Sequence, residues 1–213
     1  MKKETQNIST LMECIGAFTS LLTDAQREEF VANVSIHKFK KNESIYKEGV
    51  GGRAQIMQAI RPSDLFGYRA YFSNQNYITA AAAFETSVIA MISMQIVDKW
   101  VAENPKLANY FIRRVSMELG NTQERIVSLT QKHIRGRLAE TLLFLKENFG
   151  MENDGQTLSI SLSREDMANL SNMTTSNAIR TLSAFAAEGL ILLDGRRIMF
   201  TDEEKLKHIS KMG

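Results

Sequence analysis

The sequence predicts an α+β chain in two parts joined by a long helix. Three features carry that reading. Short apolar runs lie at close spacing between residues 34 and 96, an apolar stripe at helical spacing runs from Leu107 to Leu129, and capped helical segments followed by an Asp-Gly turn fill the C-terminal third. With 213 residues, there is room for one large or two small domains at roughly 150 residues each. Hydrophobic residues make up 44% and charged residues 23%, a globular composition that excludes a disordered or fibrous chain. The longest clean apolar run, Ala80 to Phe84, falls far short of the roughly 18–20 residues that cross a bilayer, so no membrane association is expected. Met1 to Gln6 is charged and no apolar segment follows, so a secretory signal is not expected. One cysteine, Cys14, fits a reducing cytoplasm and excludes an internal disulfide or a multi-cysteine metal site. His37, His133 and His208 are scattered, which argues against a metal centre.

The elements follow in order. Leu11, Ile15, Phe18, Leu21 and Leu22 recur at steps of three and four, and Thr23-Asp24 reads as a cap for a second helix over Ala25 to Asn33. Strands are expected around Val34, Ile36 and Phe39, at Ile45-Tyr46, Ile56-Met57, Ile60 and Leu65-Phe66, and over Tyr77 to Phe84 and Val88 to Met94. Turns at Lys47 to Gly52, Arg61 to Asp64 and Ser73 to Asn76 separate them, which suggests a barrel or sandwich. A helical zone over 95–133 is broken early by Pro105. Beyond it Leu107, Phe111, Val115, Leu119, Thr122, Ile126 and Leu129 make a stripe of about seven turns. So small a barrel does not readily cover so long a helix, and a dimer seam is the expectation.

From Ile134 the chain reads as a second domain. Leu138, Leu142 and Leu145 give an amphipathic helix to Asn148, and Leu158 to Ser161 reads as a short strand. Ser163 and Asp166 form a capping-box pattern, and Met167, Ala168 and Leu170 supply an apolar side. Ser171-Asn172-Met173 makes a tight turn with Asn172 suited to a left-handed backbone, and Thr174 caps the next helix. Ala178, Ile179 and Leu182 are expected to bury that helix, leaving Thr175, Ser176, Asn177, Arg180 and Thr181 on the open side. This is a helix-turn-helix pattern, whose second helix suits the DNA major groove. Asp194-Gly195 is a hairpin turn between Ile191-Leu192-Leu193 and Arg196-Arg197-Ile198-Met199-Phe200, a two-stranded wing with paired arginines near its tip. Taken alone, those arginines read equally well as solvated surface. Net charge gives little support either way. The chain carries +2 overall, and residues 134–213 hold ten basic against eleven acidic side chains, so any DNA contact must rest on where the charges sit.

In this order, barrel, long helix and winged helix resemble the CRP/FNR family of bacterial transcription regulators. The pieces that carry the resemblance are Phe66-Gly67, Gly136-Arg137-Leu138-Ala139 and the run from Leu162 to Leu182 with its wing. The resemblance implies a jelly-roll, cyclic-nucleotide-binding-like effector barrel with a dimerisation helix (residues 1–133, the helix from about 97), followed by a winged helix-turn-helix over 134–213. It implies a cytoplasmic homodimer that binds a palindromic duplex and, if it activates, touches RNA polymerase. Dimer contacts are expected along the stripe above. An effector pocket is expected at Phe66, Gly67, Tyr68, Arg69, Tyr77, Ile78 and Thr79, with Thr122 from the long helix. Thr175, Ser176, Asn177 and Arg180 are the expected base-contacting residues, and Ser163, Thr174, Arg196 and Arg197 the phosphate-contacting ones.

The sequence also departs from the family pattern. Cyclic-AMP-binding members place a glutamate after the Phe-Gly turn and an arginine-serine pair downstream. Tyr68, Tyr77 and Ile78 stand at those positions, and none supplies the charge an anionic phosphate needs. Thr122 keeps one of two expected helix hydroxyls, followed by Gln123. The expected input is therefore a small molecule or redox signal other than cyclic AMP. Arg69 is open to two readings, a contact to another anion or an ordinary surface arginine. An iron–sulfur cluster is excluded by the single cysteine, and heme would have to rely on His37 in the barrel zone. Family members carry an extra hairpin where this sequence passes from Ile45-Tyr46-Lys47-Glu48-Gly49 to Gly51-Gly52-Arg53-Ala54-Gln55. Its loss would leave strand edges open, so an omitted segment is expected rather than a true deletion. No enzymatic activity is expected, since a cupin-type barrel enzyme needs a histidine cluster. The alternative function is a ligand-binding module without DNA binding.

Overall fold

The computed structural model describes residues 12–47 and 59–212. The chain divides into two units. The described parts of the first are residues 12–47 and 62–119, and those of the second are 59–61 and 120–212. The hairpin question near Lys47 to Gly52, and the strand expected at Ile56-Met57, fall almost entirely outside the described residues.

The first unit holds α1 (Gly16–Thr19), α2 (Asp24–Asn33), β1 (Ser35–Phe39), β2 (Ser44–Tyr46), α3 (Tyr68–Phe72), β3 (Ala81–Ala82), β4 (Ser87–Met91), α4 (Met94–Glu103) and the start of α5 (Pro105–Gln131). Thr23 caps α2 in a full capping box with Gln26, as its sequence predicts. β1 pairs antiparallel with β4 from Ser35↔Met91 to Phe39↔Ser87, and β2 pairs irregularly with β3. Several expected strands are corrected. Ile60 and Leu65-Phe66 are irregular, because Ser63 and Gly67 both take positive φ and the chain turns straight into α3. Within Tyr77 to Phe84 the strand is limited to Ala81-Ala82, with Ala83 adding backbone bonds to Asn42 and Glu43, while Tyr77 stacks on Tyr46 with ring centroids 4.2 Å apart. β4 ends at Met91, and Met94 already begins α4.

The buried core of this unit comes from the helices, through Phe18, Phe30, Tyr68, Val97, Trp100, Leu107 and Phe111, with Leu22 from the turn between α1 and α2. The break expected at Pro105 is present, so the dimerisation helix expected from about residue 97 is two helices, α4 ending at Glu103 and α5 opening at Pro105. Asn104 separates them, with its Nδ2 donating to the Leu21 carbonyl at 2.8 Å and to Gln26 Oε1 at 3.1 Å, while its Oδ1 accepts from the Lys106 amide at 3.1 Å. Pro105 then opens α5, a position where its missing N–H costs nothing.

The second unit contains the rest of α5, then α6 (Ile134–Phe149), α7 (Arg164–Leu170), α8 (Thr175–Ala187), β5 (Ile191–Asp194), β6 (Arg197–Phe200) and α9 (Glu203–Met212). Leu138, Leu142 and Leu145 are buried, as their spacing predicts, beside Met167, Leu170, Leu182, Phe185, Ile191, Ile198 and Leu206. The strand expected at Leu158 to Ser161 is absent. Isolated bridges, Met151↔Leu158 and Thr157↔Met199, hold that stretch instead. Before it, Asp154 accepts bonds from the Gln156 and Thr157 amides and the Thr157 hydroxyl. Chiefly through the Thr157 hydroxyl, these bonds hold its carboxyl at about 2. α9 was not foreseen from sequence, and it packs mainly on α6.

Candidate nucleic-acid interface and sensor region

Local chemistry builds α7, the turn and α8. The Ser163 hydroxyl accepts from the Asp166 amide at 3.0 Å, and the Asp166 carboxylate accepts from the Ser163 amide and hydroxyl. Asn172 takes φ 50° in the turn, and the Met173 amide returns to the Ala168 carbonyl at 2.9 Å. The Thr174 hydroxyl accepts from the Asn177 amide at 3.2 Å and starts α8. The hydroxyls of Ser163 and Thr174, expected at phosphate, are thus already engaged as helix caps.

α8 buries Ala178, Thr181, Leu182 and Phe185, the i, i+3, i+4, i+7 pattern of one helix face. Two expectations are corrected. Thr181 belongs to the buried face, and Ile179 is 47% exposed on the open one. Thr175, Ser176 and Arg180 are exposed as expected. Arg180 Nη2 donates to Asn177 Oδ1 at 2.8 Å, so Asn177 holds the arginine one turn on.

The wing's register is shifted by one from the sequence reading. Asp194 pairs with Arg197, which makes Gly195-Arg196 the two-residue loop. Gly195 has φ 58°, a backbone that glycine takes without strain at a first loop position. Arg196 is exposed, whereas Arg197 forms an ion pair with Glu152. Arg164 on α7 donates to the Gly195 carbonyl at 2.7 Å and ties the wing tip to the helix-turn-helix.

Two further arginines hold the turn. Arg137 donates to the carbonyls of Ser171 and Asn172, both at 3.2 Å, and to that of Lys132 at 3.0 Å. Arg125 on α5 donates to the Leu170 carbonyl at 2.7 Å. The Leu170 carbonyl that ends α7 and the two turn carbonyls after it are thus met by cations at the negative end of the helix dipole, while the carbonyls of Met167, Ala168 and Asn169 accept backbone amides of the turn. Sequence reasoning singled out Arg137 only as part of a motif and missed Arg125 and Arg164. Their partners are backbone carbonyls 31 or more residues away, which no spacing pattern reveals.

The Crp-like helix-turn-helix domain matches residues 136–209. A CRP-like cAMP-activated global transcriptional regulator of Mycobacterium tuberculosis is 25% identical over 156 residues, covering 73% of this chain and 70% of that protein. Electron transport regulator A of Shewanella oneidensis is 29% identical over 156 residues, covering 73% of this chain and 62% of that protein. Among solved structures, FixK2 from Bradyrhizobium japonicum matches with a TM-score of 0.74 at 20% identity, over 83% of this chain and 96% of that one. Residues 136–209 are thus a Crp-like helix-turn-helix domain, and over 73% of its length the chain is similar to CRP-like regulators. These findings support a DNA-binding transcription regulator of CRP/FNR type, against the alternative of a ligand module without DNA binding.

In the first unit, the expected pocket residues separate. Tyr77 donates to the Gly67 carbonyl at 3.3 Å, and Tyr46 lies between Tyr77 and Phe66, with a hydrogen bond to Thr79. Tyr46 was missed from sequence because its partners lie 20 or more positions downstream. Ile78 and Arg69 are exposed. Tyr68 is corrected. It is 4% exposed, packed on Phe111, and its hydroxyl donates to Glu118 rather than facing a ligand. Burial, aided by the Glu118 carboxylate, pushes that hydroxyl up to about 12. Arg114 binds Asp64 at 3.0 Å and the Leu65 carbonyl at 3.2 Å, linking the segment before Gly67 to α5. Thr122 lies in the second unit and is exposed on α5.

The expected dimer stripe also divides. Leu107 and Phe111 are buried in the first unit's own core, because α5 packs there against Phe18 and Tyr68. Val115, Leu119 and Ile126 are exposed and Leu129 is half-buried. Ile112, not foreseen, joins the exposed set. Among the described residues no helix is long and apolar enough to cross a membrane, and no three His, Cys, Asp or Glu side chains gather as a metal site.

Proposed function

We propose that this regulator works as a cytoplasmic homodimer that reads a palindromic site with α8 and responds to a small molecule other than cyclic AMP through its first unit. The observation that carries the reading is the open face of α8, where exposed Thr175 and Ser176 precede an Arg180 already held by Asn177. A pre-oriented guanidinium is suited to bidentate contact with guanine O6 and N7. Thr175 and Ser176 make shorter contacts beside it, Asn177 acts chiefly through Arg180, and Arg196 meets phosphate. The exposed run Ile112, Val115, Leu119 and Ile126 supports self-association along α5. Two copies place two recognition helices on half-sites about one DNA turn apart. The role is binding rather than catalysis, and contact with RNA polymerase follows if the protein activates.

The Mycobacterium tuberculosis relative is described as cAMP-activated. Against the same effector here stand the core position of Tyr68 and the uncharged Tyr77 and Ile78. The test is selection of duplexes from a random pool. Wild type is expected to yield an inverted repeat, and Arg180→Ala to lose preference at one base pair per half-site, a discrimination of about 1–3 kcal/mol. The same consensus and affinity from both proteins would remove Arg180 as a base reader. Charged replacements at Val115 and Leu119 should give monomers on light scattering, and calorimetry should show no micromolar binding of cyclic AMP.

A further inference from the structure

The buried face of α8 is complete without Ile179. Ala178, Thr181, Leu182 and Phe185 fill it, while Ile179 stands 47% exposed. Its place on the helix is specific. Thr175, Ile179 and Ser183 form one i, i+4, i+8 row, which runs beside the row containing Ser176 and Arg180. Thr175, Ser176, Arg180 and Ser183 are all exposed. A β-branched hydrocarbon therefore lies in the middle of a polar surface that otherwise offers hydroxyls and one guanidinium.

We propose that Ile179 is a specificity-determining residue that reads a thymine through its 5-methyl group. The inference rests on α8 being the base-reading helix, and it adds a second base pair beside the one assigned to Arg180. The thymine methyl is the one apolar group that the four bases present in the major groove. Cytosine offers an N4 amino donor near the same edge, and an isoleucine side chain pressed on that donor would strip its water and return no hydrogen bond. The residue thus favours thymine by burying its methyl and disfavours cytosine by leaving a donor unpaired. Arg180, fixed by Asn177 on the adjacent row, sets the register that brings Ile179 to the neighbouring base pair.

The experiment uses the full chain and the duplex selected from a random pool by wild type. Each thymine in turn is replaced by deoxyuridine, which removes the methyl and keeps every hydrogen-bonding group. Wild type is expected to lose about fourfold in affinity per half-site at one thymine position, the value of one buried methyl-sized group. Ile179→Ala should bind thymine and deoxyuridine equally there, and Ile179→Val should keep most of the preference. Melting temperatures of both variants should match wild type, because the side chain is outside the core. If wild type is indifferent to deoxyuridine at every position, or Ile179→Ala keeps the preference, the proposal is wrong while the Arg180 reading stands. If no duplex is enriched, or Arg180→Ala leaves the consensus unchanged, the reading of α8 itself fails.

Discussion

The two units bury their apolar residues by different means. In the second unit the wing strands enter the core directly through Ile191, Ile198 and Phe200. In the first unit no residue of β1, β2, β3 or β4 is fully buried, and Val88 is 67% exposed. Its core consists of Tyr68 and Trp100 with apolar residues of the flanking helices. The contrast explains which parts of the chain were readable. A strand announces its limits by alternating buried and exposed residues, and strands without a buried face give no such alternation. Hence the boundaries expected within Tyr77 to Phe84 and Val88 to Met94 drifted. The caps at Thr23, Ser163 and Thr174 depend only on residues three positions away, and all three were legible.

Truncating each core separately gives the largest expected effects. Phe185→Ala removes a fully buried ring and should cost the second unit about 3–5 kcal/mol, with loss of DNA binding. Trp100→Ala should cost the first unit a similar roughly 3–5 kcal/mol. The Trp100 indole donates to Glu29 at 2.7 Å, a bond lost with the ring. Calorimetry of both variants should show different transitions lowered. One shared transition, lowered equally by both, would mean the units unfold as one.

Next in size is the arginine clamp on the helix-turn-helix turn. Arg137→Ala leaves the Ser171 and Asn172 carbonyls without their cation and should destabilise the second unit by about 1.5–3 kcal/mol, the range for a hydrogen bond to a charged group. Arg137→Lys should recover only part, because one ammonium cannot reproduce the planar fork. Chemical denaturation followed by a second-unit probe checks this. The assembly of the turn was half legible. Asn172 announced its left-handed backbone, but the arginines that hold its carbonyl and those before it come from α5 and α6.

Alkaline pH separates the units further. The Tyr68 hydroxyl is raised to about 12 in the folded chain, above its ordinary value near 10. The folded state therefore holds this proton longer than the unfolded one. The stabilisation is complete below pH of about 10 and is lost as pH climbs toward the folded value. Unfolding of the first unit should steepen in that alkaline window, and Tyr68→Phe should remove the steepening while leaving second-unit transitions unchanged. An identical alkaline profile in wild type and variant would show that the Tyr68–Glu118 contact does not govern it.

The smallest effect lies within the wing, where adjacent arginines in the sequence have unlike surroundings. Arg196 sits exposed in the hairpin loop, whereas Arg197 opens β6 paired with Glu152. A cation already neutralised by a carboxylate releases few counterions when it meets phosphate, so Arg196 should dominate the wing's salt dependence. Arg196→Ala should reduce the slope of log affinity against log salt by about 1 per wing in contact, uniformly across sequences. Glu152→Gln should have the opposite sign, freeing Arg197 and steepening the slope. Titrations at several salt concentrations on one selected duplex decide between them. An unchanged slope in Arg196→Ala would place the wing away from the backbone, and a flatter slope in Glu152→Gln would mean that the carboxylate orients Arg197 toward phosphate instead of competing for it.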